Sequence, residues 1–162
     1  MRLRELLEGT EITALTISPD TEITHVCADS RRARKGSLFA AVPGTLCDGA
    51  LYAQQAVDRG AACVLCRQEM PGLPCAAVPD VRAALGKIAC TWYENPAARL
   101  TVLGVTGTNG KTTTTYLLRH ILRSAGIKTG LIGTVQNLVE EKMLPARRTT
   151  PDALEIHSLL RQ

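Results

Sequence analysis

Lys111 and Thr112 follow directly on the loop Thr106-Gly107-Thr108-Asn109-Gly110, and this stretch offers the clearest chemistry in the chain. A lysine ammonium there would reach the outer phosphates of a nucleotide, and the neighbouring threonine hydroxyl would ligate Mg²⁺. Upstream, Leu100, Val102, Leu103 and Val105 form an apolar run that predicts a buried strand. Downstream, Thr113 to Ala125 carries Leu117, Leu118, Ile121, Leu122 and Ala125 on one stripe and predicts a helix. Strand, glycine-containing loop, Lys-Thr and helix is the order a phosphate-binding loop requires, because glycines let backbone N–H groups turn toward a polyphosphate. The strict pattern G-x-x-x-x-G-K-[ST] is not met. It wants glycine where Val105 stands, and Gly104 comes one place too early.

The elements that must position this loop are expected to form two domains, residues 1–97 and 98–162. In the first, a short helix near Leu3–Leu7 leads through Ile12–Ile17 to strand-like segments at Ile23–Ala28, Gly36–Val42, Ala61–Leu65 and Cys75–Val78. Helical spacing predicts helices over Tyr52–Arg59, stopped by Gly60, and over Val81–Trp92, stopped at Glu94-Asn95-Pro96. In the second, Lys128–Thr134 reads as a strand, so residues 100–134 predict a right-handed βαβ unit. Residues 135–148 read as a loop or irregular hairpin. Pro151 and Asp152 then introduce a last helix that runs to Gln162. Two parallel strands cannot bury both faces of a sheet, so the second domain is expected to be truncated.

Composition narrows the function. With 45% hydrophobic and 21% charged residues, the 162-residue chain is typical of a globular protein, but at 3% aromatic its core must be aliphatic and alanine-rich. The net charge of +4 suits anionic small ligands. Few aromatics interleave with the basic residues, which argues against a single-strand nucleic-acid platform. No apolar run approaches a membrane span, and charges interrupt the N-terminal leucines, so neither a membrane segment nor a signal peptide is expected. Six cysteines include Cys63 and Cys66 at C-x-x-C spacing. They lie in a short apolar strand where residues three apart face opposite ways, and no second pair accompanies them, so they read as buried thiols of a cytoplasmic protein. His25, His120 and His157 stand isolated and receive no role.

Four blocks together carry a family resemblance that covers nearly the whole chain. Gly104 to Thr114, GVTGTNGKTTT, resembles the ATP loop of the Mur ligases, the cytoplasmic ATP-dependent amide-forming enzymes of peptidoglycan synthesis. Asp29-Ser30-Arg31 with Gly36-Ser37-Leu38-Phe39 looks like their N-terminal D-S-R…G-x-L-F block. Gly44 to Gly49, followed by Tyr52, looks like the G-x-x-x-D-G turn, although Thr45-Leu46-Cys47 replaces the more polar H-Q-x of some members. Arg148-Thr149-Thr150-Pro151 is similar to the T-T-P segment of the member that adds the third peptide residue, a diamino acid. The order and spacing of the blocks fit that member better than the sibling that takes a longer peptide.

The resemblance implies an α/β fold: a small uridine-nucleotide-binding domain followed by the first βαβ unit of a P-loop-type ATP-binding central domain. It implies ATP and Mg²⁺ as cofactors, with Lys111 catalytic, Gly107, Thr108, Asn109, Gly110, Lys111, Thr112 and Thr113 around the ATP phosphates, and Thr112 on the magnesium. It places Ser30, Thr45, Leu46, Cys47 and Asp48, together with Thr149 and Thr150, on UDP-MurNAc. The implied partners are small molecules, UDP-MurNAc-dipeptide and meso-diaminopimelate or L-lysine, with no nucleic acid, no membrane and a monomeric state. The family's acidic magnesium ligand, modified lysine and amino-acid site would lie in later segments, so the chain alone is expected to be inactive.

Overall fold

A computed structural model describes residues 1–44, 47–146 and 151–162, which separate into two units, Met1–Glu94 and Asn95–Gln162. The first is built on a five-stranded sheet. Strands β1 (Ala14–Leu15), β2 (His25–Cys27), β3 (Ser37–Ala40), β4 (Ala61–Cys66) and β5 (Cys75–Ala77) lie in the order β1-β5-β4-β3-β2. β2 through β5 are parallel, and β1 closes the edge antiparallel to β5. All four residues of β3 are buried, as expected of a parallel strand covered on both faces.

Alternation along the strands sorts the core into two layers. Phe39, Val64, Cys66 and Cys75 pack with Ala53 and Ala56 of helix α2 (Ala53–Asp58). Leu38, Cys63 and Leu65, equally buried, face the other way. Helices α1 (Leu3–Leu6) and α3 (Val81–Trp92) pack on each other and contribute buried Leu3, Leu6, Leu85 and Ile88. α3 starts where the apolar spacing predicts, because Asp80 caps it: its carboxylate accepts from the N–H groups of Arg82 (2.8 Å) and Ala83 (3.0 Å). The helix ends at consecutive left-handed residues, Glu94 (φ 62°) and Asn95 (φ 48°), followed by Pro96.

The second unit departs from the predicted βαβ unit. Helix α4 spans Lys111–Ser124 and opens at the Lys-Thr pair that follows the loop. The predicted strand Leu100–Val105 is not formed: among the described residues no strand pairs with 101–106, and Leu100, Val102 and Leu103 are exposed. A strand exists only where a neighbour completes its hydrogen bonds, and apolar spacing does not supply the neighbour. The strand predicted over Lys128–Thr134 shrinks to β6 (Gly130–Leu131). It pairs antiparallel with β7 (Gln136–Val139), which forms a hairpin with β8 (Lys142–Pro145). Residues 136–145 are therefore a regular hairpin, turned at Glu140 with φ 50°, that β6 extends to three strands. The last helix, α5 (Ala153–Leu160), is capped by Asp152, whose carboxylate accepts from the Glu155 N–H at 2.9 Å. Among the described residues no helix is long and apolar enough to cross a membrane.

Candidate functional site

In the Asn95–Gln162 unit, the loop before α4 is shaped by two glycines in the positive-φ region, Gly107 (φ 142°) and Gly110 (φ 79°). Gly110 occupies the N-cap position and brings no side chain to it, so the first N–H groups of α4 remain uncapped at the positive end of the helix dipole. The first intrahelical bond runs from the Thr114 N–H to the Gly110 carbonyl, 2.8 Å. Thr112 and Thr113 are exposed, and Lys111 is half-buried. The Lys111 ammonium donates to the Gly107 carbonyl at 2.5 Å and reaches the Thr108 carbonyl at 3.4 Å, folding back over the loop. Residues Thr108 to Thr113 and Thr134 line one open cavity of about 290 Å³. The sequence reading missed Thr134 as a lining residue. Its place at the carboxyl end of the predicted second strand was the available signal, since α/β ligand sites gather there. Buried Asn137 supports that side of the cavity by accepting from the Gly133 N–H at 3.3 Å.

These groups can take up a polyphosphate: donors and dipole point at one place, and the cation sits beside them. The described residues hold no cluster of three or more His, Cys, Asp or Glu side chains. The donor set fits a magnesium held through nucleotide oxygens and the Thr112 hydroxyl, the usual binding mode of an ion that keeps few protein ligands.

In the Met1–Glu94 unit, the predicted residues Ser30, Cys47 and Asp48 lie beyond the carboxyl ends of β2 and β3. After β2, Asp29 caps a 3₁₀ turn, Ser30–Arg32, by accepting from the Arg31 N–H at 2.9 Å. The Arg31 guanidinium also grips that carboxylate at 3.0 and 2.8 Å, and chiefly this bond lowers the Asp29 pKa from 3.8 to about 2. Ser30 is 7% exposed, and its hydroxyl donates to Gln55 Oε1 on α2 at 2.7 Å.

After β3, Pro43 and Asp48 form an isolated bridge, and the Gly44 N–H donates to the Cys47 carbonyl at 3.0 Å. The Asp48 carboxylate accepts from the Ala50 N–H at 3.0 Å and caps the 3₁₀ turn Gly49–Tyr52, which runs into α2. One oxygen of Asp48 is thus committed to the backbone. Cys47 is exposed, and the influence of its thiol on the Tyr52 phenol is the main cause of that phenol's raised pKa. α2 packs against both 3₁₀ turns and so joins the Ser30 and Asp48 segments. Gln55, absent from the sequence reading, is the α2 residue that holds Ser30. Thr45, Leu46, Thr149 and Thr150 lie outside the described residues.

Cys63 and Cys66 are buried on β4, and burial pushes both thiols up to about 12.

Two family models match the chain: "Mur ligase family, catalytic domain" over residues 22–93 and "Mur ligase middle domain" over residues 105–162. Curated relatives include the UDP-N-acetylmuramoyl-L-alanyl-D-glutamate--2,6-diaminopimelate ligases of Caldanaerobacter subterraneus and Gloeobacter violaceus. Each is 42% identical, covering 98% and 100% of this chain but 33% and 34% of the relative. Among solved structures, a UDP-N-acetylmuramoyl-L-alanyl-D-glutamate--2,6-diaminopimelate ligase matches with a TM-score of 0.74 at 25% identity, over 99% of this chain and 33% of that one. MurF from Acinetobacter baumannii matches with a TM-score of 0.64 at 26% identity, over 99% of this chain and 32% of its own. The chain spans about a third of the length of the relatives it matches. With the two family models falling in order on its two units, the chain belongs to the Mur ligase family.

Proposed function

We propose that this chain is the N-terminal part of a MurE-type, ATP-dependent amide ligase of peptidoglycan precursor synthesis, acting in the cytoplasm. The Met1–Glu94 unit serves as the UDP-MurNAc anchor, and the Asn95–Gln162 unit begins the ATP-binding domain. The observation that carries this reading is the uncapped N-terminus of α4, with Gly110, Lys111 and Thr112 around a single cavity. The reaction would attach a diamino acid to UDP-MurNAc-L-Ala-D-Glu. The names of the relatives favour 2,6-diaminopimelate over L-lysine.

In that reaction the terminal carboxylate of the dipeptide attacks the γ-phosphorus of ATP, forming an acyl phosphate and releasing ADP. The amine of the diamino acid then attacks the acyl carbon, phosphate leaves, and the nitrogen gives up a proton. Lys111 would leave the Gly107 carbonyl to neutralise charge on the transferring phosphoryl group, while the free N–H groups of α4 hold the neighbouring phosphates. Magnesium, bound by Thr112 and the nucleotide, would supply further charge neutralisation.

The test is turnover of the full-length protein, followed as ADP released with UDP-MurNAc-L-Ala-D-Glu and 2,6-diaminopimelate. Lys111→Ala should abolish turnover, because loss of a comparable charge-stabilising donor costs roughly 3–4 kcal/mol in the transition state. A near-normal kcat would refute the role of the loop. The 162-residue chain should form no tripeptide product. The likeness to MurF gives the alternative reading, which a preference for a longer peptide substrate would identify.

A further inference from the structure

Ser30 sits in a nearly closed position with its hydroxyl proton already in use. The Oγ–H donates to Gln55 Oε1 at 2.7 Å, and Ser30 is 7% exposed. A hydroxyl has one proton to give and two lone pairs to receive with. With the proton engaged by Gln55, the Ser30 Oγ has only its lone pairs left for a ligand. Gln55 itself is exposed, lies in the first turn of α2, and its backbone carbonyl accepts from the Arg59 N–H at 3.2 Å, which fixes the turn that carries it.

We propose that Gln55 is a positioning residue that sets the polarity of Ser30, so that this site recognises a hydrogen-bond donor of the ligand and not a phosphate oxygen. An ionised diphosphate carries acceptors only, and Ser30 held in this way has nothing to offer it. The donors of a uridine nucleotide are the imide N–H of the base and the ribose hydroxyls. The inference rests on the proposed nucleotide role of the Met1–Glu94 unit and names the group that role must contact.

Calorimetric binding of UDP to the chain tests it, with Ser30→Ala, Gln55→Leu, Gln55→Glu and the Ser30→Ala/Gln55→Leu double variant, each checked by a thermal melt. Leucine keeps the bulk of Gln55 but cannot accept a proton, whereas glutamate accepts. Gln55→Leu should weaken UDP about three- to tenfold, the equivalent of one neutral hydrogen bond. Gln55→Glu should restore affinity to within about twofold, and the double variant should bind no more weakly than Ser30→Ala.

N3-methyl-UDP separates the two donors. Weaker binding of this probe by the wild type, with the difference erased in Ser30→Ala, identifies the imide. Equal binding of both probes, with the Gln55 pattern intact, identifies a ribose hydroxyl. Wild-type affinity in Gln55→Leu alongside weakened Ser30→Ala overturns the positioning role, as does a Gln55→Glu variant as weak as Gln55→Leu. No UDP binding by a wild type that melts cooperatively refutes the nucleotide reading itself, a different result from either of those.

Discussion

Replacing Gly49 by alanine places a methyl carbon 2.7 Å from both the nitrogen and the oxygen of Val42 and 2.8 Å from the carbonyl carbon of Ala41. All three atoms are backbone, so no side chain can swing aside. They belong to the stretch leaving β3, and the Gly49 N–H already donates to the Val42 carbonyl at 3.2 Å. Relief requires the Asp48-Gly49 turn to move away from the strand end. Overpacking of this kind costs about 1–3 kcal/mol. A domain of 60–100 residues loses about 4–8 °C of Tm per kcal/mol, so a cost near 2 kcal/mol lowers the transition by roughly 8–16 °C.

The assay is thermal unfolding followed by fluorescence of Trp92, the sole tryptophan, which lies in the same unit as Gly49. Gly86→Ala is the internal control. It sits inside α3, and a Cβ there meets nothing within 4 Å. Alanine should stabilise the helix by about 0.5–1 kcal/mol, so its transition should rise. An unchanged Tm for Gly49→Ala, or a shift of both variants in the same direction, would refute the packing argument.

Two further outcomes follow from protonation and burial. The Asp29 pKa is depressed, so its contribution to stability is present above 3.8 and is lost as pH falls through about 2. The Tm gap between wild type and Asp29→Asn should therefore close over that interval, and a gap of constant size at lower pH would contradict the ion-pair account. Alkylation mapped by mass spectrometry should modify exposed Cys47 in the folded chain and reach Cys63, Cys66 and Cys75 only in denaturant. Early labelling of Cys63 would show that β4 is not covered on both faces.

Local signals in the sequence carried as far as local physics reaches. Val81–Trp92 was legible to the residue because its apolar stripe and the Glu94-Asn95-Pro96 stop are local to the segment. The glycine-containing loop before α4 was legible for the same reason: its glycines, lysine and threonines are contiguous. The strand predicted over Leu100–Val105 failed because pairing is a relation between segments, and a run of Val and Leu cannot name its neighbour. The same limit turned the predicted strand over Lys128–Thr134 into a two-residue antiparallel partner of Gln136–Val139. Gln55 was invisible because its contact with Ser30 joins residues 25 positions apart, and an exposed glutamine on a helix carries no distinguishing pattern.

The run from Leu100 to Val105, unpaired among the described residues, also bears on how this 162-residue chain behaves in concentrated solution. Its N–H and C=O groups are without a ladder, and Leu100, Val102 and Leu103 face solvent. An apolar, partly β-branched segment in that condition is a template on which like segments can add, edge to edge. In this 162-residue chain such a segment is the place where self-association would begin. Val102 is 61% exposed, so a single charged side chain there would break the apolar run without touching the interior.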